Sequence, residues 1–125
     1  MEMLMTNLEI YETALSLKEN FGEEAILGLP VLVNYTIQKN LKNLLALSST
    51  IESVKEDIGK KYGKRESEGI YKIPPENLEK AQADLTKLMT AKELINIKKI
   101  TLKDMEGIKI SNKQMAALLF MIEEE

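Results

Sequence analysis

From Pro30 to about Tyr62 the chain carries an unbroken helical pattern, and no other feature constrains the fold as strongly. Ile37, Leu44, Ile51 and Ile58 recur at seven-residue steps, Leu47 and Val54 follow the middle two by three, and Leu41 and Tyr62 follow the first and last by four. That spacing gathers all eight on one edge of a helix, an apolar seam of coiled-coil type. A helix of roughly 33 residues extends about 50 Å. It does not bury such a seam alone, so its partners must come from the same chain or from another copy. Ser48, Ser49 and Thr50 interrupt the apolar pattern halfway. Small residues at that point predict a second helix crossing closely.

The rest of the chain supplies covering elements. Met1 to Met5 alternates with Glu2 and Leu4 and is compatible with a short strand. Thr6 followed by Glu9 forms a capping box that opens a helix, with Leu8, Tyr11, Leu15 and the flanking Ile10, Ala14 and Leu17 as its apolar face. Asn20, Phe21 and Gly22 end it, and Glu23 to Leu29 reads as a helical turn or a packed loop. Pro30 suits the first turn of the long helix, and Gly63 suits its C-terminal cap. Ile70, Tyr71 and Ile73 form a short extended piece. Pro75 then opens a helix bearing Leu78, Ala81, Leu85, Leu88 and Met89, which ends near Lys92 and doubles back on the long one.

Over Leu94 to Leu102 the period changes to that of a strand, with Ile95, Ile97, Ile100 and Leu102 apolar and Lys98 and Lys99 facing out. Beyond Gly107, Ile108 and Ile110 offer a second strand for a hairpin, joined by the N-terminal segment. Ser111 and Gln114 form another capping box, and Met115 to Ile122 is wholly apolar. The expected fold is mainly α with some β. Its centre is a long helix in an antiparallel helical hairpin or bundle, with a two- to three-stranded β element near Met1–Met5 and Leu94–Ile110. At 125 residues, a single domain over residues 1–125 is expected. The seam spans only four heptads, so the long helix reads as the spine of a compact helical domain.

Composition narrows the chemistry. Apolar residues make up 44% and charged residues 30%, the balance of an ordinary folded protein, while aromatic residues are only 5%, so the core must be aliphatic. There is no Cys and no His, which removes disulfides, thiolate chemistry and the commonest general base and metal ligand. The net charge is −3 and Arg65 is the sole arginine, a poor fit to sequence-specific DNA reading. No basic leader precedes a long apolar run, and the longest near-apolar stretch, Ala25 to Val33, is too short to span a bilayer. A cytoplasmic protein without membrane contact is the expectation.

Candidate sites are few. Glu52, Glu56 and Asp57 share one side of the long helix, as a solvated helix face does; a hard cation would need further ligands there. Lys60, Lys61, Lys64 and Arg65 place four positive charges within six residues, with Tyr71 nearby, although Glu56, Asp57, Glu66 and Glu68 surround them. These five residues are the candidates for contact with an anion or an acidic partner. In the final apolar run, Met115, Leu118, Leu119, Phe120 and Ile122 either complete the core or form an interface. No phosphate loop, dinucleotide fingerprint or nucleophile elbow is present. Neither an enzymatic activity nor a cofactor is expected.

Several stretches carry a resemblance. They are Met-Thr-Asn-Leu-Glu-Ile before the first helix, Leu29 to Asn40 at the start of the long one, Lys61 to Gly63 with Pro75-Glu76-Asn77, and Ile108 to Glu124, where Ile-Lys-Ile-Ser-Asn precedes Leu-Phe-Met-Ile-Glu-Glu. Through them the sequence resembles a family of small proteins, without an assigned activity, encoded by tailed phages and prophages of low-G+C bacteria. The matching residues are caps, turns and core positions, so the resemblance implies a phage context and transfers no catalytic or binding residue. The functional expectation is a non-enzymatic protein that binds other proteins, as a homo-oligomer, in virion assembly or in blocking a host defence factor. The alternative is a sponge that holds a small anionic nucleotide between subunits.

Overall fold

A computed structural model of the chain describes residues 2–22, 28–68 and 70–123. The order is β1 (Glu2–Thr6), α1 (Asn7–Asn20), α2 (Val31–Tyr62), β2 (Lys64–Ser67), β3 (Ile70–Lys72), α3 (Pro75–Thr90), β4 (Lys92–Asn96), β5 (Ile100–Thr101), α4 (Asn112–Leu118) and β6 (Ile122–Glu123), with 3-10 turns at Lys103–Met105 and Leu119–Met121. The fold is mainly α around one long helix, with small two-stranded β elements. Most of the expected turn at Glu23 to Leu29 lies outside the described residues.

Local chemistry starts the helices where the sequence suggests. Thr6 Oγ1 accepts from the Glu9 amide at 3.1 Å while Glu9 Oε1 accepts from the Thr6 amide at 3.0 Å, satisfying two of the donors that a helix start leaves orphaned. Ser111 and Gln114 do the same for α4 at 3.0 Å in each direction. Pro30 and Pro74 precede α2 and α3 with extended backbone, and Pro75 is the first residue of α3. Their fixed φ and missing N–H cost nothing there.

Packing selects among the apolar residues. In α1 the buried stripe is Ile10, Ala14 and Leu17, continued by Phe21, whereas Leu8 and Leu15 are exposed. The edge expected to lead the apolar face therefore borders it. In α2 the seam is covered as far as Ile51, with Ile37, Leu41, Leu44 and Ile51 buried and Leu47 half-buried; beyond it Val54 is exposed and Ile58 half-buried. At the interruption, Ser49 and Thr50 face solvent, and Thr50 Oγ1 donates back to Ala46 O at 3.4 Å. The close crossing expected there does not occur at those two residues, which remain exposed. Helix α3 folds back on the end of α2, with Asn77 Nδ2 donating to Tyr62 O at 3.1 Å and Tyr62 OH donating to Asp84 Oδ2 at 2.7 Å.

The β elements depart most from expectation. Strand β4 pairs antiparallel with β1, matching Glu2 with Asn96, Leu4 with Leu94 and Thr6 with Lys92. No hairpin joins it to Ile108 and Ile110, which lie half-buried after the left-handed Gly107 and belong to no strand. Strand β5 instead pairs in parallel with β6, at Ile100 with Ile122 and Thr101 with Glu123. Between β4 and β5 the backbone of Lys98 pairs with a side chain: Asn40 Nδ2 donates to its carbonyl and Asn40 Oδ1 accepts from its amide, both at 2.9 Å.

Strands β2 and β3 form a bulged hairpin, in which the extended piece expected at Ile70 and Tyr71 pairs with Lys64–Ser67, for which no strand was expected. Tyr71 seats it on α2 against Gly59, where an added Cβ would lie 2.8 Å from Tyr71 Cδ2 and 2.9 Å from Cγ. Gly63 ends α2 as expected, but with φ −132° and ψ −179° rather than a left-handed cap. Glycine is needed there for closeness, since a Cβ would stand 2.8 Å from Lys72 O. Alanine in an open helix interior ordinarily adds about 1 kcal/mol over glycine. Gly59→Ala is expected to lower the melting temperature instead, because the crowded atoms are at the root of the Tyr71 side chain. In a Tyr71→Ala background the same change should be neutral or stabilising, as thermal unfolding followed by circular dichroism would show.

Candidate interaction surface

The basic residues proposed for anion contact leave α2 and the hairpin in different directions. Lys60 Nζ is 3.9 Å from Glu56 Oε1, and Lys61 Nζ is 3.6 Å from Asp84 Oδ2 on α3. The Tyr62 hydroxyl and the Asp84 carboxylate hold the Lys61 ammonium above the usual lysine range. The Tyr62 hydrogen bond, with Lys61 and Lys87 nearby, holds Asp84 below the usual carboxylate range. Lys64 lies opposite Lys72 on the hairpin, and Arg65 lies opposite Tyr71 with its Nε donating to Ser67 O at 3.4 Å. The Tyr71 hydroxyl donates to Glu56 at 3.3 Å. Two of the five candidates thus meet the same carboxylate and a third meets Asp84. A phosphate would have to displace these contacts, so the nucleotide reading gains no support from the geometry.

Beside the hairpin an open groove of about 500 Å³ follows the exposed face of α2, lined by Ser49, Glu52, Ser53, Lys55, Glu56 and Tyr71. Tyr11 closes in from α1; its hydrogen bond to Glu52 and the charge of that carboxylate push the phenol above its ordinary range. Lys55 Nζ lies 5.9 Å from the Tyr11 ring centre. Glu52 and Glu56 share one open helix face, so a substrate between them would stay in water, unlike one held by acid and base groups across a cleft. Among the described residues no three or more acidic side chains gather closely enough to hold a metal ion.

The final apolar segment is resolved in favour of the core for most of its residues. Helix α4 stops at Leu118, and the chain passes through a 3-10 turn into β6, so each change of geometry redirects the side chains. Leu118 and Met121 are fully buried, and Met115, Phe120 and Ile122 pack half-buried against the core. Of the five proposed interface residues only Leu119 stands clear, at 62% exposure. Lys99 Nζ donates to Phe120 O at 2.8 Å and pins the 3-10 turn.

The surplus apolar surface lies elsewhere. Val31, Leu32 and Tyr35, on the first two turns of α2, are 82%, 77% and 54% exposed. Beside them a groove of about 400 Å³ is lined by Pro30, Val33, Thr36, Ile100, Lys99 and Asp104. The ammonium groups of Lys39 and Lys98 flank the Tyr35 ring at 5.7 and 5.6 Å from its centre. A second patch is the cross-strand pair Leu4 and Leu94, both well exposed on the outer face of β1 and β4. The sequence carried a signal for the first patch: Val31, Leu32 and Tyr35 fall outside the phase of the Ile37, Leu41, Leu44 seam, so a helix buried along that seam turns them outward. Among the described residues no helix is long and apolar enough to cross a membrane. Compared with known protein families, with curated proteins and with solved structures, the chain matches none.

Proposed function

We propose that this chain is a non-enzymatic phage or prophage protein that acts by binding other proteins, and that it does so as a homo-oligomer in the cytoplasm of the bacterial host. The observation that carries this reading is the exposure of Val31 and Leu32, at 82% and 77%, beside a partly apolar groove at the start of the long helix. Neighbouring exposed apolar side chains of this kind are characteristic of interaction sites. The absence of His and Cys from the sequence removes the usual nucleophile and base combinations and supports a binding role over a catalytic one. Two roles fit a phage setting, assembly into a virion part or obstruction of a host defence factor.

Both halves of the reading are open to test. Light scattering coupled to size exclusion at micromolar concentration is expected to give a mass above that of one chain. Tagged full-length protein recovered from infected or lysogenic cells is expected to bring down a defined partner that Leu32→Asp abolishes. A virion protein or a host immune enzyme in that position would choose between the two roles. A strictly monomeric chain, with no partner lost on the Leu32→Asp change, would overturn the proposal.

A further inference from the structure

The outer face of the β1–β4 pair is built to meet a copy of itself. Residues Glu2, Leu4 and Thr6 of β1 and Asn96, Leu94 and Lys92 of β4 share that face, because directly paired residues point the same way. Their inner neighbours Met5 and Ile95 are buried in the core. The face has an apolar centre, where Leu4 at 59% and Leu94 at 60% exposure stand side by side. Its ionised residues, Glu2 and Lys92, occupy diagonally opposite corners, since Glu2 pairs with Asn96 at one end and Lys92 with Thr6 at the other. The pair stands alone as a two-stranded sheet. Such a sheet needs a packed face; the inner side supplies it through Met5 and Ile95, and the outer face is left open.

We propose that two copies of the chain stack these faces about a two-fold axis, the leucine pairs packing together and each Glu2 meeting Lys92 of the partner copy. The proposal rests on the homo-oligomer reading above and names its surface. A two-fold interface uses the same patch twice, so it requires a face whose charges complement their own rotated image. Glu2 and Lys92 meet that requirement when the axis lies in the interface, at right angles to the line joining them. With a rise of about 3.4 Å per residue and strands about 4.8 Å apart, that axis crosses the strands of the two sheets at roughly 40°. The face is small, which makes this a weak dimer, populated at micromolar concentration and above.

Sedimentation velocity of the full-length protein over a concentration series is the test. The wild-type chain is expected to dimerise, and Leu94→Gln to weaken the dimer by about tenfold or more. Glu2→Lys, which turns two attractions into repulsions, is expected to weaken it by about tenfold, and the double change Glu2→Lys with Lys92→Glu to recover most of that loss. Recovery by the double reversal is the supporting result that a merely structural role for these residues would not produce. A wild-type oligomer indifferent to all of these changes would overturn this interface while leaving the homo-oligomer reading intact. A wild-type chain that stays monomeric throughout the series would overturn both. Unchanged far-ultraviolet circular dichroism of each variant confirms that association, and not folding, is being read.

Discussion

Replacing Asn40 by alanine is expected to lower the free energy of unfolding by about 2–4 kcal/mol, one of the largest effects of any polar substitution in this chain. Asn40 is completely buried on α2. Its amide gives Lys98 the two hydrogen bonds, both at 2.9 Å, that a neighbouring strand would otherwise supply. Nδ2 also lies 3.4 Å from Met121 Sδ. Truncation leaves the Lys98 N–H and C=O without these partners, and an abandoned buried polar group costs about 1–3 kcal/mol. The Lys98 side chain reaches solvent, so water recovers part of the loss and keeps the total below the sum of two full penalties. Urea denaturation measures the change, and faster hydrogen exchange at the Lys98 amide locates it. Asn40→Leu separates the hydrogen bonds from the packing: it restores the volume but not the bonds, and it should remain destabilised. An Asn40→Leu variant as stable as the wild type would refute the assignment. Asn40→Asp should be at least as damaging, since it sets a second acceptor against the Lys98 carbonyl and buries a charge.

Leu118→Ala is expected to cost about 3 kcal/mol, while Leu119→Ala stays within about 0.5 kcal/mol. The two residues are adjacent and chemically identical, so composition and helix propensity cannot distinguish them. Leu118 has no exposure and Leu119 has 62%. Removing the first leaves a cavity among the buried residues that include Ala117 and Met121. Removing the second exposes little that was not already wet. Equilibrium unfolding of the pair discriminates sharply: equal costs, or a larger cost at Leu119, would place the apolar run at an interface after all.

The same pair marks the limit of what was legible in advance. The run from Met115 to Ile122 is apolar at every position, so no periodicity separates its inner from its outer side. Only the break from helix to 3-10 turn to strand does so. Where polar and apolar residues alternate with a helical period, the reading held, as at Ile37, Leu41, Leu44 and Ile51. It weakened toward Val54 and Ile58, because a seam states which face is apolar and not how far along the helix a partner extends. Among the candidate site residues, four clustered charges suggested an anion site. The fold placed Lys60 and Lys61 beside carboxylates on α2 and α3, which no local count of charge reveals.

The amino-acid sequence by itself determined what depends on a single turn of chain. The capping boxes at Thr6 and Ser111, the prolines before α2 and α3, the length of the central helix and the mainly α character all follow from residues three or four positions apart. Only the tertiary structure decided the rest. Strand β1 finds β4, β5 finds the end of the chain, and Asn40 finds Lys98 at a separation of 58 residues. Pairings across such distances depend on which faces meet once the helices have packed, and a one-residue change of register would turn every strand residue to the opposite side. Those same meetings left Val31, Leu32, Leu4 and Leu94 outside the core. The surface on which the functional proposal stands is therefore a product of packing, although every residue in it was visible from the start.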